Sequence, residues 1–150
     1  MSLKEKLLSD LKGALKARDT VRLNTIRILI SEIKNQEIRQ KKVIDDAAVV
    51  AIVVSQVKKR KEAAALYDKG NRPELSQKEK QEIEILQTYL PEQVPEEDLR
   101  RRIQEIIKEL DAHGTGEMGR IMKTVVPEFK GKADNQLIKN LVSEYLVQKQ

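Results

Sequence analysis

The chain has no cysteine and no tryptophan, and its 150 residues contain one phenylalanine and a single histidine. Without thiols the protein forms no disulfide bond, and it has neither a thiolate metal ligand nor a cysteine nucleophile. One histidine cannot assemble the nitrogen cluster that is typical of zinc sites. No glycine-rich phosphate loop or serine nucleophile turn is present either. The sequence therefore predicts no catalytic residue, no metal site and no cofactor.

Aromatic residues are also scarce, at 3%, whereas charged residues make up 35%. Strands favour aromatic and β-branched residues, so this composition favours helices. No segment approaches the roughly 20 apolar residues that cross a bilayer. The N-terminal residues lack the apolar core of a signal peptide, and Glu5 and Asp10 do not fit an acid-poor transit peptide. We therefore expect no membrane partner and a cytoplasmic location.

Apolar residues recur at helical spacing through most of the chain. The run Val49–Val54 has strand propensity, but it continues without a breaker to Leu66 and has no second strand to pair with, so we predict a helix there. Asp19 stands where the N-cap of the second helix is expected, and Asp45 or Asp46 where that of the third is expected.

The next break is Lys69–Pro73, where Gly70 stands at the expected C′ position. Ser76 and Glu79 match the Ser-x-x-Glu capping box, which predicts that the fourth helix begins at Ser76. Pro91 is expected to end that helix after Leu90.

The sequence thus predicts an all-α protein with two domains. An N-terminal helical domain of about four helices occupies residues 1–92, and a small three-helix bundle occupies residues 95–150. Positive charge is concentrated in the first part, because residues 1–90 contain 19 Lys and Arg against 13 Asp and Glu, whereas residues 91–150 contain 10 against 11. Such an asymmetry favours an anionic partner for the first part.

The strongest cluster of positive charge is the basic run Lys58-Lys59-Arg60-Lys61. Consecutive helical residues spread around the axis, so the run is also compatible with an ordinary solvated surface. If the second and third helices pack antiparallel, Arg22 and Arg27 could join part of the run in one basic strip for phosphates. The scarcity of aromatics argues against a stacking platform for single strands and favours a folded RNA.

A second candidate is the segment between the last two predicted helices. Lys130 and Lys132 flank Gly131, which permits a positive φ, and Asp134 is placed to cap the following helix. Ala133 permits close packing. The segment is compatible with a purely structural hinge and with a hinge that also presents its lysines to RNA.

Three further residues are interpreted as structural. His113 precedes Gly114 at a predicted helix end, where a cation suits the helix dipole. Met118 and Met122 are expected to belong to the core.

The chain resembles the GatB/YqeY family, and the resemblance covers nearly the whole chain in order. It is carried by the segments Lys58–Gln93, Met118–Lys123, Gly131–Asp134 and Leu23–Arg27. Its C-terminal part is similar to the tail domain of the GatB subunit of the tRNA-dependent amidotransferase. This resemblance implies an all-helical fold and an association with RNA, because the tail domain helps to hold the tRNA body. It also implies an association with carbon–nitrogen ligase activity that uses glutamine as amide donor.

The leading hypothesis is an accessory protein that binds tRNA or another structured RNA through Arg22, Arg27, Lys58, Lys59, Arg60, Lys61, Lys130 and Lys132. One alternative is a protein-interaction module, with a translation protein as partner and an exposed edge formed by Met118 and Met122. The other is a non-catalytic part of a glutamine-dependent amidotransferase system. The sequence does not distinguish an enzyme from a binding protein directly, and it does not give the oligomeric state.

Overall fold

A computed structural model describes residues 1–148, and every regular element in that part of the chain is helical. The predicted all-α fold is therefore confirmed. The seven α-helices found there are α1 (Leu3–Ala17), α2 (Thr20–Gln40), α3 (Asp46–Lys69), α4 (Pro73–Gln87), α5 (Glu96–Glu109), α6 (Met118–Glu128) and α7 (Asn135–Gln148). A three-residue 3-10 helix, Thr115–Glu117, leads into α6.

The chain forms two compact units, which we call the N-terminal unit (Met1–Leu90) and the C-terminal unit (Pro91–Gln150). Helices α1 to α4 belong to the first and α5 to α7 to the second. Residues 149 and 150, the end of the domain predicted from the sequence, lie outside the described residues.

In the N-terminal unit, α3 and α4 run antiparallel along each other, and α2 packs against both, with α1 against α2. Two ion pairs join α3 to α4 in this antiparallel order, Arg60 with Glu82 and Asp68 with Lys80. The buried core of the unit consists of Leu7, Ile26, Leu29, Ile33, Ile44, Val49, Ile52, Val53, Val57, Ile83, Leu86 and Tyr89. Each fully buried large aliphatic side chain contributes roughly 1.5–3 kcal/mol relative to an exposed one.

The C-terminal unit is a bundle in which α5, α6 and α7 pack against one another. Its core contains Leu99, Ile103, Ile106, Ile107, Ala112, Ile121, Val125, Phe129, Ile138, Leu141, Val142 and Leu146. Met118 and Met122 are half-buried and pack against this core, as the sequence predicts. They do not form the exposed edge on which the protein-interaction alternative relied.

The helix starts predicted for α2 and α3 are confirmed by their cap hydrogen bonds. Asp19 accepts from the backbone N–H of Arg22 at 3.2 Å, and Asp45 accepts from that of Ala48 at 2.9 Å. Each bond satisfies a backbone donor that has no partner within its own helix. The apolar run Val49–Val54 lies inside α3, so the helix interpretation is correct.

The predicted start of the fourth helix is wrong. Helix α4 begins three residues earlier, at Pro73, because the fixed φ of proline suits the first helical position and its missing N–H is not needed there. Ser76 is therefore inside the helix and buried.

The ends around α4 also differ from the prediction. The residue with positive φ after α3 is Asn71 (φ 57°), not Gly70 (φ −82°). Helix α4 ends at Gln87, and Leu90 lies beyond it, because the chain tightens into turns before it reaches Pro91.

Candidate nucleic-acid interface

Most cations of the N-terminal unit, all of whose residues are described, lack an acidic partner. Ion pairs are formed by only six of its 19 lysines and arginines, namely Lys4, Arg22, Arg39, Arg60, Arg72 and Lys80. The other thirteen have no carboxylate oxygen of the described residues within 4.0 Å. Their charge is therefore left to the solvent or to an anionic ligand.

The carboxylates of this unit are largely committed to folding. Glu5, Asp19 and Asp45 take part in the hydrogen bonds that cap helix starts. Asp46 accepts from the backbone N–H of Leu3 at 3.1 Å, which ties α3 to the start of α1. These four carboxylates bond to backbone N–H groups and form no ion pair with a described lysine or arginine.

Glu37 shows how such a carboxylate is held. It accepts from the Lys4 ammonium at 2.6 Å and from the backbone N–H of Ile44 at 3.0 Å. The hydrogen bond with Lys4, followed by that with Ile44, lowers the pKa of Glu37 below its ordinary value. Ionised Glu37 thus joins α2 to α1 and to the segment that precedes α3.

Arg60 does not belong to an exposed phosphate-binding surface, contrary to the sequence prediction. Its side chain is 14% exposed and pairs with Glu82 and, at 3.3 Å, with Glu79, both on α4. The burial of Arg60 could have been predicted from helical spacing. Arg60 follows Val57 by three residues and precedes Ala64 by four, which places it on the buried face of α3. The charge of Arg60 holds two helices together and is not available to a ligand.

The remaining lysines of the basic run are exposed but point in different directions. Lys58 and Lys61 share one side of α3, whereas Lys59 lies roughly 200° away from Lys61 around the axis. Lys59 lines a polar depression of about 150 Å³ between α2 and α3, together with Glu32 and Gln36. As the sequence predicts, the four residues do not share one face, and only Lys58 and Lys61 of the run are left exposed on the same side.

The two candidate arginines of α2 are also separated from this run. Arg22 pairs with Asp10 of α1 at 3.6 Å and is half-exposed. Arg27 is exposed, has no ion pair within the N-terminal unit, and lies seven residues before Lys34 on the same face of α2. The structure thus distributes the predicted cations over several faces of the unit.

The segment between α6 and α7 is built as the sequence predicts. Gly131 has a φ of 75°, and Asp134 accepts from the backbone N–H of Gln136 at 2.8 Å. Ala133 is half-buried against the core of the C-terminal unit. These features confirm a turn followed by a capped helix start.

Two hydrogen bonds attach this turn to the chain that precedes α5. The backbone N–H of Val94 donates to the carbonyl of Lys132 at 3.0 Å, and the Gln93 amide donates to the carbonyl of Gly131 at 2.9 Å. Lys130 and Lys132 are exposed, and neither pairs with a carboxylate of the described residues. The turn therefore combines a fixed backbone with two ammonium groups that no described carboxylate engages.

In contrast, arginines of the C-terminal unit are held in ion pairs. Arg102 contacts Glu128 at 3.0 Å and also reaches Glu105 and Glu109. The hydrogen bonds with Glu128 and then Glu105 raise the pKa of Arg102 above its ordinary value. Such arginines are already engaged and contribute little to attraction of a ligand.

The described residues contain no group of three His, Cys, Asp or Glu side chains that could hold a metal ion. His113 is exposed, and its ring contacts Asp111 at 3.0 Å. None of the helices within residues 1–148 combines the length and the apolar content needed to span a membrane.

Comparison with known proteins identifies a family. Residues 4–146 match the family described as Yqey-like protein. The mitochondrial protein named "Altered inheritance of mitochondria protein 41" is 33% identical in Vanderwaltozyma polyspora, where the alignment covers 93% of this chain and 80% of the relative. The protein of the same name in Pyrenophora tritici-repentis is 27% identical, with 93% and 78% covered, and that in Lachancea thermotolerans is 37% identical, with 69% and 57% covered.

The names of these relatives contradict the cytoplasmic location predicted from the sequence, because all three are called mitochondrial. That prediction is wrong, and its basis explains why. It rests on the lack of a long apolar segment and on acidic residues such as Glu5 and Asp10, and neither feature excludes a mitochondrial protein.

Proposed function

The chain belongs to the YqeY-like family, and from that premise we propose that it is an accessory protein that binds tRNA or another structured RNA. The observation that carries the proposal is the set of thirteen cations of the N-terminal unit that form no ion pair with a described carboxylate. Contacts between such cations and phosphates release counterions from the nucleic acid, which provides affinity that depends strongly on salt. The resemblance to the tail domain of GatB, which helps to hold tRNA, supports the same class of ligand.

The contact surface that fits this role best is one face of α3, which we call the lysine face and define as Lys58, Lys61 and Lys69. These residues are exposed, and helical spacing places all three on one side of α3. Eleven residues separate the first from the last, which corresponds to about 16 Å along the axis. None of the three pairs with a carboxylate in the N-terminal unit.

Phosphate contacts of this kind position a ligand but do not read its sequence. A double-stranded RNA region is recognised mostly by shape and backbone, which needs no aromatic stacking platform. The protein has only four aromatic side chains, and Tyr89 and Phe129 are buried. The side-chain inventory therefore favours a folded RNA over a single strand.

The lysines of the α6–α7 turn supply a second contact in this proposal. Lys130 and Lys132 are two residues apart on a backbone held by Val94 and Gln93. An ammonium on a fixed turn loses less conformational freedom on binding than one on a mobile loop. We expect their removal to weaken binding less than removal of the lysine face, because it takes away two charges instead of three.

The decisive experiment is a titration of a folded tRNA with the protein at several salt concentrations. Reversal of the lysine face, Lys58→Glu with Lys61→Glu and Lys69→Glu, should weaken binding roughly tenfold or more at moderate salt. For each lysine that no longer binds a phosphate, the slope of log K against log salt should fall by about one.

A matched control carries the same change in charge elsewhere in the N-terminal unit. Lys12→Glu, Lys16→Glu and Lys78→Glu alter three exposed lysines that also lack an ion pair there. We expect this variant to bind clearly better than the lysine-face variant. Equal weakening in both variants would overturn the assignment of the face, and absence of salt-dependent binding by the parent protein would overturn the RNA function.

A further inference from the structure

A second surface of the N-terminal unit is an apolar groove between α1 and α2. It has a volume of about 90 Å³, is lined by Leu7, Leu8, Ile30 and Ile33, and has Lys4, Lys34 and Glu37 at its rim. The two helices run antiparallel, as shown by the contacts of Lys4 with Glu37 and of Arg22 with Asp10. The groove has room for about one aliphatic side chain.

Two large apolar side chains of α1 remain exposed, Leu8 in the lining of the groove and Leu15 beyond the lining. Leu8 is 50% exposed and Leu15 is 58% exposed. They are seven residues apart, which places them on the same side of α1 two turns from each other. The apolar stripe of α1 is thus wider than its own unit covers, and the excess flanks the groove.

The rim of the groove is positive. Arg27 and Lys34 lie on the same face of α2 and have no ion pair in the N-terminal unit. Glu37, the acidic residue of the rim, is already engaged by Lys4 and by the backbone of Ile44. A ligand in the groove therefore meets uncompensated positive charge beside an apolar floor.

Two antiparallel helices with apolar residues repeated every seven positions offer the surface on which a third helix packs. A second copy of this chain would bring the same cations against each other and would be repelled. An RNA would satisfy the cations but would leave Leu8 and Leu15 without an apolar partner. An acidic amphipathic helix satisfies both features.

We propose that the groove between α1 and α2 binds an amphipathic helix of a partner protein that carries leucine-like residues at i, i+3 and i+7 and acidic residues on its flanks. The apolar residues cover Leu8, Leu15 and Ile30, and the acidic residues pair with Arg27 and Lys34. This surface shares no residue with the lysine face on α3.

The probe for the test is a synthetic helical peptide of about 18 residues with leucines at those positions and glutamates on both flanks. Its binding is measured by fluorescence anisotropy, and its site by NMR shift changes of the full chain. We expect the changes to centre on α1 and α2. Leu8→Ser with Leu15→Ser should weaken binding at least tenfold, and Lys34→Glu should weaken it severalfold.

Two controls make the outcome decisive. Leu66→Ser removes a leucine that is 67% exposed on α3, away from the groove, and should leave binding unchanged. The same peptide with lysines in place of glutamates should bind at least tenfold more weakly. The proposal would be overturned by equal binding of both peptides or by shift changes outside α1 and α2. A dimer that forms through this groove, or protection of Leu8 and Leu15 by RNA, would also overturn it.

Discussion

The N-terminal unit buries polar side chains, whereas the buried side chains of the C-terminal unit are all apolar among the described residues. Thr25, Ser76 and Glu82 are each at most 6% exposed, and Arg60 lies beside Glu82. The C-terminal unit keeps its arginines at the surface, where Arg102 joins three carboxylates. Arginine and glutamate thus form a buried pair in the N-terminal unit, besides exposed pairs such as Arg72 with Glu74, whereas Arg102 of the C-terminal unit pairs at the surface.

The charge that each unit shows to the solvent follows from its composition, with 19 Lys and Arg against 13 Asp and Glu in residues 1–90 and 10 against 11 in residues 91–150. In the C-terminal unit, surface carboxylates neutralise surface arginines. In the N-terminal unit, six cations pair with carboxylates, and the other thirteen form no ion pair with a described carboxylate. A buried ion pair stabilises a fold only when its geometry offsets the loss of hydration. The pair of Arg60 with Glu82 contains one cation and one carboxylate and therefore leaves the charge balance of the unit unchanged.

The largest effect is expected from a cavity in the apolar core of the C-terminal unit. Ile103 is fully buried, and Ile103→Ala should lower the free energy of unfolding of this unit by about 3 kcal/mol, since both transfer energy and packing are reduced. Urea unfolding followed by amide exchange in each unit measures the effect. Leu110→Ala, at a half-buried position, is the milder control. If the N-terminal unit lost the same stability, the two cores would not be separate.

The second prediction concerns the buried ion pair of the N-terminal unit. Glu82→Ala should lower the stability of the N-terminal unit by about 2 kcal/mol, because Arg60 stays buried and retains only Glu79 as partner. Urea unfolding of the single variant and of the double variant Arg60→Met with Glu82→Leu gives the comparison. We expect the double variant to recover most of the loss.

The control for this prediction lies in the C-terminal unit. Glu128→Ala removes a partner of Arg102 that is exposed at the surface, so the change in stability should be much smaller. A loss as large as that of Glu82→Ala would show that burial is not the reason for the difference between the units.

Tyr89 gives a third test, by pH. Its hydroxyl donates to Asp10 at 2.5 Å, and burial, followed by this hydrogen bond, raises the pKa of Tyr89 well above 10.0. A raised pKa means that the folded state favours the neutral phenol. This stabilisation is therefore complete below pH 10 and is lost as the pH rises further.

Tyr89→Phe should lower the stability of the N-terminal unit by about 1.5 kcal/mol at neutral pH, since Asp10 loses a donor. Above pH 10 the gap between the variant and the parent protein should close. The measurement is urea unfolding of both proteins across pH 7–12, read on amides of the N-terminal unit. A gap that stays constant through this range would show that the Tyr89 hydroxyl does not stabilise the fold through its proton.

Sequence patterns predict the helices and several of their ends because the physics involved is local. An N-cap such as Asp19 needs only an N–H three residues ahead, and the positive φ at Gly131 depends on that residue alone. Ser76 shows where this reasoning fails. Its capping pattern is real, but Pro73 starts the helix earlier, and packing against α3 decides which residues of α4 are buried.

The prediction for Arg60 fails for a related reason. A run of four cations looks like a surface patch, yet one of the four falls on the buried face, and the register of α3 against α4 determines that it meets Glu79 and Glu82.

The sequence prediction also misses the groove between α1 and α2. Its signal is present in Leu8 and Leu15, which widen the apolar stripe of α1 beyond what one neighbouring helix covers.

The smallest effect is predicted for the N-cap aspartates, which allow the two units to be compared at equivalent positions. Asp134→Ala should destabilise the C-terminal unit by about 1 kcal/mol, because the backbone N–H of Gln136 loses its acceptor. Asp19→Ala should have a similar effect on the N-terminal unit. Asp134→Asn keeps an acceptor for the cap and should recover most of the loss in thermal unfolding. If the turn also presents Lys130 and Lys132 to RNA, Asp134→Ala should weaken RNA binding, whereas Asp19→Ala should not. Equal RNA affinity of the two variants would show that the turn has a structural role only.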